Sequence, residues 1–110
     1  MQIRRTLATQ IMSKALLLRE TSLLAVLDRK QSIHYAADQQ ELEQLLQAYP
    51  DGTLVHNQNE QALQVIDQFN HAEGQCSLEV FQDTEGVFGL RAYQMVGKLQ
   101  TPITLELSDE

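Results

Sequence analysis

DQQELEQLLQAYPDGTLVHNQNEQALQVIDQF, residues 38–69, is the stretch on which the fold turns. Asp38-Gln39-Gln40-Glu41 has capping-box spacing with aspartate as the cap, so a helix starts there. Leu42, Leu45, Leu46 and Tyr49 follow at i, i+3, i+4 and i+7 and share one apolar face. Pro50-Asp51-Gly52 stops that helix. Thr53–His56 is short enough for a strand, and Asn57-Gln58-Asn59-Glu60 repeats the capping logic. Ala62, Val65, Ile66 and Phe69 then supply the stripe of a second helix, expected to run until Gly74.

Toward the C-terminus the period changes from helical to alternating. Cys76, Leu78 and Val80 fall on one face of a strand, with Ser77 and Glu79 on the other. Asp83-Thr84-Glu85-Gly86 reads as a hairpin turn. Val87–Val96 returns as a long strand in which Gly89 marks a bulge or kink. Ile103, Leu105 and Leu107 alternate in a final strand. Toward the N-terminus, Leu23–Leu27 and Ser32–Ala37 read as a hairpin around Asp28-Arg29-Lys30-Gln31, in preference to a continued helix. Ile3, Leu7, Ile11, Ala15 and Leu18 recur every three or four residues, which predicts a helix from Ile3 to Leu18.

The expected fold is α+β. It has an N-terminal helix, a mixed sheet of about five strands, two helices packed mainly on one face, and a C-terminal antiparallel meander. One domain of 110 residues is expected, made of a basic amphipathic helix over 1–20 and an acidic body over 21–110. Its core should hold Leu42, Leu45, Leu46, Ile66, Phe69, Leu78, Val80, Ile103 and Leu105 under the two helices.

Charge is the least ordinary property. Residues 1–30 hold Arg4, Arg5, Lys14, Arg19, Arg29 and Lys30 against Glu20 and Asp28, a net of +4. Residues 31–110 hold only Arg91 and Lys98 against thirteen acids, a net of −11. An acidic body repels phosphate backbones, so any nucleic-acid contact falls to the N-terminal helix. Met1–Arg19 also has the amphipathic, acid-free character of a transit peptide, the lesser of its two readings. Cys76 is the only cysteine, which excludes an intrachain disulfide and favours a reducing, cytoplasmic setting. The longest apolar runs, Ala15–Leu18 and Leu23–Leu27, are too short to cross a membrane.

Motifs that carry chemistry are scarce. His34, His56, His71 and Cys76 lack the paired spacings of zinc sites, and there is no P-loop, G-x-G-x-x-G or G-x-S-x-G. No metal or cofactor is expected. If the strands before Asp38 and His56 run parallel, both residues lie at strand carboxyl ends, where α/β sheets place ligands. Asp38 could then orient His56 as a general base, with Asn57 and Asn59 as polar ligand contacts. The plainer reading makes Asp38 and Asn57 helix caps, His56 a strand-end residue, His71 a surface group and Cys76 a small buried hydrophobe.

The function these features favour is a non-enzymatic protein-binding module, such as an inhibitor, immunity, adaptor or regulatory protein, working through its acidic surface. Partner contacts are expected at Arg4, Arg5, Lys14, Arg19, Asp83 and Glu85, together with a homodimer formed by the N-terminal helix or an edge strand at Ile103–Leu107. The alternatives are a small-molecule site or enzyme near Asp38 and His56, and nucleic-acid binding through the basic helix.

Overall fold

The computed structural model describes residues 1–18, 20–69 and 72–109. Its elements are β1 (Gln2–Arg4), α1 (Arg5–Leu17), β2 (Leu24–Leu27), β3 (Ile33–Ala36), α2 (Gln39–Ala48), β4 (Thr53–Asn57), α3 (Glu60–Phe69), β5 (Cys76–Gln82), β6 (Phe88–Val96), β7 (Leu99–Ile103) and β8 (Glu106–Ser108). The fold is α+β. β2 to β7 form one mixed sheet in the order β3-β2-β4-β5-β6-β7. β4 and β5 are its parallel pair, a connection that needs a crossover, which α3 supplies. The other neighbours are antiparallel, and β5-β6-β7 is the expected meander.

Helices cover both faces, so the predicted single core is two. Leu7, Ala8, Ile11 and Ala15 of α1 pack on Ala25, Leu27, Val55, Leu78, Val80 and Ala92. On the opposite face, Leu42 of α2 and Ala62 and Ile66 of α3 pack on Leu24, Val26 and Leu54. Leu78, Val80, Ile103 and Leu105 therefore belong to the α1 side, and Leu45, Leu46 and Phe69 pack only partly buried on the α2–α3 side. β2 lies between both layers, which is why all four of its residues are buried and its sequence is continuously apolar.

The local signals between 24 and 69 hold well. β2 and β3 form the antiparallel hairpin. Asp38 accepts a hydrogen bond from Glu41 N, and Glu41 in return accepts from Ala37 N, one residue before the cap. Asn59, not Asn57, caps α3, accepting from the backbone N–H groups of Gln61 and Ala62. Among the described residues α3 spans Glu60–Phe69, and Gly74 adopts φ +82° in a turn beyond it.

Several longer-range features differ from expectation. Ile3 lies in β1, not in the helix, because Gln2–Arg4 pairs in parallel with Glu106–Ser108, and its burial under α1 satisfies the helical stripe equally well. The predicted strand from Ile103 to Leu107 is divided between β7 and β8, so its second half is tied to the N-terminus and β7 forms one edge of the six-stranded sheet, β3 being the other. Edge position also explains how β7 accommodates Pro102. No bulge occurs at Gly89: the β5–β6 register is continuous, and a Cβ there would sit 2.7 Å from the Phe81 ring that covers it. Cys76 is half-buried.

Candidate functional site

α1 spans its face of the sheet, whereas α2 and α3 lie over β2, β3 and β4 and leave the far half open. Register places Glu79, Phe81, Arg91, Tyr93, Met95, Gln100 and Pro102 on that open half, and none of them is buried. Between it and the flank of α3 runs a cleft of about 380 Å³. Glu60, Leu63, Gln64 and Asp67, spaced i, i+3, i+4 and i+7, form the helical wall; Glu79, Met95 and Gln100 form the sheet wall; His56 also lines the cleft.

His56 is put there by alternation. In β4, Leu54 and His56 share the face under α3, while Val55 joins the α1 core. The residue is 2% exposed. Its Nδ1 lies 2.9 Å from the carbonyl oxygen of Asn57, which can only accept, so Nδ1 carries the proton of the neutral ring. Burial holds the imidazole below its ordinary value, partly opposed by the Asn57 carbonyl and by Glu79, so it is neutral at pH 7. Nε2 is thus a bare acceptor, and among the described residues it meets no donor. Glu79 stands directly across the parallel pair from His56. The cross-strand neighbour of Glu79, Arg91, forms no ion pair with it and sits 3.9 Å over the Phe81 ring. Gln100 Nε2 donates to the buried Ser77 Oγ, which leaves Gln100 Oε1 as another acceptor.

Asp38 is not brought to His56. The strands before them, β3 and β4, do run in the same direction, each antiparallel to the intervening β2. The Asp38 carboxylate, however, caps α2 and lines a different cleft, of about 790 Å³, at the ends of β3 and α1. Asn57 is 7% exposed and serves as an internal clamp: Oδ1 accepts from Leu23 N and Asn59 N, and Nδ2 donates to Thr21 O and Leu18 O. Asn59 also accepts from Ser22 Oγ. Both asparagines thus hold the segment between α1 and β2.

The proposed partner residues are dispersed. Arg5 pairs with Asp109 at 3.2 Å, Lys14 Nζ lies 5.1 Å over the Tyr35 ring, and Arg4 is exposed. Asp83 accepts from Glu85 N and Val87 N and so shapes its hairpin turn, while Glu85 is exposed. Arg19 and His71 lie outside the described residues.

Sequence reasoning missed two arrangements. His34 Nε2 lies 2.8 Å from Asp28 Oδ2, and its ring stacks on Tyr49 at 4.5 Å. The His34 hydrogen bond, with backbone donors from Ser32 and Lys30, holds the Asp28 carboxyl below its ordinary value. The other is the His56 cleft. Its only local trace is a histidine at the alternating position beside Leu54, since the approach of Glu79 and Gln100 depends on strand order. Among the described residues, no group of three or more His, Cys, Asp or Glu side chains is placed to hold a metal ion, and no helix is long and apolar enough to cross a membrane. No known protein family matches the chain, and comparison with curated proteins finds no similar sequence.

Proposed function

We propose that this chain is a non-enzymatic protein-binding module, of the inhibitor, immunity, adaptor or regulatory kind, that engages a basic partner through the α2–α3 face. One observation carries this reading. From residue 38 to residue 69 there is no lysine or arginine, while Asp38, Glu41, Glu43, Asp51, Glu60 and Asp67 are all exposed. Only Asp51 of these has an ion-pair partner, Arg29 at 2.9 Å, among the described residues. Such a single-sign layer steers an oppositely charged protein toward it and repels acidic competitors. A cytoplasmic setting belongs to the same proposal, as does a homodimer through the free edge of β7, where Leu99 is exposed. Affinity capture at low and high salt tests the reading, using the wild type beside a Glu41→Lys, Glu43→Lys, Glu60→Lys variant. A partner recovered at low salt and lost in the variant is expected; equal recovery by both proteins overturns it.

The volume of the larger cleft, about 790 Å³ beside Asp38, favours a second reading as a small-molecule site. Under that reading Asp38→Ala changes ligand-induced thermal stabilisation in a metabolite screen. A screen without any stabilising compound counts against it.

A further inference from the structure

The His56 cleft is lined by acceptors. The carboxylates of Glu60, Asp67 and Glu79 can only accept hydrogen bonds, as can the bare Nε2 of His56, which is buried beneath the cleft's surface, and Gln100 has one of its two amide N–H groups engaged by Ser77. Gln64 and the second amide N–H of Gln100 are the donors its lining side chains have to offer, and no lysine or arginine lines the cleft. Ile66, Leu63 and Met95 add apolar surface. His56 separates this place from an ordinary acidic patch. A buried ring nitrogen without a partner carries a desolvation cost that a donor entering the cleft would remove. The complement is a group with several donors in a plane, a positive charge, and faces that tolerate apolar contact.

A guanidinium meets all three conditions. Its five N–H donors lie in a rigid fork, it stays charged at any working pH, and it is weakly hydrated, so it enters partly apolar clefts more readily than an ammonium. The same sheet face already carries one such packing, Arg91 over Phe81. We infer that this cleft receives an arginine side chain of the basic partner, with His56 Nε2 and Gln100 Oε1 accepting from its N–H groups and Glu79 countering its charge. This rests on the acidic-face reading and names the residue type that anchors it.

The probe is a blocked pentapeptide with one arginine among glycines, titrated into the full chain while the His56 ring nitrogens are followed by NMR. The same peptide with citrulline, which keeps the shape and loses the charge, is the control. The arginine peptide should shift His56 Nε2 saturably, and the citrulline peptide should bind about fivefold more weakly. Glu79→Gln, on a half-exposed residue, should weaken the arginine peptide by about fivefold with the fold intact by backbone NMR. Absence of a His56 shift, or equal binding of citrulline, overturns the inference. If that happens while salt-sensitive capture still recovers a partner, the acidic-face reading stands and only the anchor is wrong. If capture fails as well, both fall.

Discussion

The two faces of the sheet are built by the same helical physics and end in opposite chemical states. On one, α1 spreads over the sheet, β1 and β8 close its margin, and two of its cations are answered within the chain, Arg5 by Asp109 and Lys14 by the Tyr35 ring. Met1 extends this closure, its amine donating to Thr104 O and its carbonyl accepting from Glu106 N. On the other, α2 and α3 cover only half of the sheet, their layer holds acids without cations, and His56 keeps an unused acceptor at the boundary. Both layers bury an apolar stripe. What differs is the charge each helical layer presents, since each face keeps a buried polar atom without a partner among the described residues, Tyr35 Oη on the α1 side and His56 Nε2 on the other.

The comparison breaks first on stability. Ile11 and Leu42 are both 0% exposed, one in each core, so Ile11→Ala and Leu42→Ala should each cost about 2–5 kcal/mol in urea unfolding. A loss below about 0.5 kcal/mol at either site would mean that its layer does not contribute a close-packed core.

Next in size is Asn57→Ala, expected to cost about 1–3 kcal/mol because it strands the buried Leu23 N–H and frees the segment joining α1 to the sheet. Hydrogen exchange at Leu23 reports it directly. Unchanged protection there would remove the clamp from the account.

A smaller effect sharpens the His56 side of the comparison. Its folded value lies below the ordinary 6.5, so between the two the unfolded chain holds a proton that the folded ring does not. Stability therefore falls as pH drops through that window, by at most about 1.4 kcal/mol per pH unit, and levels off below the folded value. Urea midpoints from pH 7.5 downward should show this slope in the wild type and lose it in His56→Gln. Identical slopes would mean that the buried ring does not set it.

Smallest is Asp109→Asn. Asp109 and Arg5 side chains are 93% and 61% exposed, so removing this pair should change stability by less than about 0.5 kcal/mol. A larger loss in low salt would show that the terminal closure depends on it.

Legibility tracked distance along the chain. The hairpin of β2 and β3, the Asp38 cap, the stripes of α2 and α3 and the Asp83 turn were readable because each is decided by groups a few residues apart. Ile3 was misplaced, and the last strand misdivided, because β1 meets β8 across about the whole chain, and no local pattern carries that pairing. The Asn57 clamp escaped for the same reason, as its partners lie 34 to 39 residues away, except Asn59. The His56 cleft needed β4 and β5 to be neighbours before Glu79 could stand opposite the imidazole, and β6 and β7 to follow before Met95 and Gln100 could form its wall.

By itself, the sequence determined an α+β chain, the start of α2 at Asp38, and a division into a basic first part and an acidic remainder. Tertiary structure decided that α1 lies on one face of the sheet and the acidic α2–α3 layer on the other, and that His56 Nε2 is left without a partner beside that layer. The physical reason is that charge and periodicity are properties of residues and their near neighbours, whereas the pairing of a polar group depends on which distant strand arrives beside it.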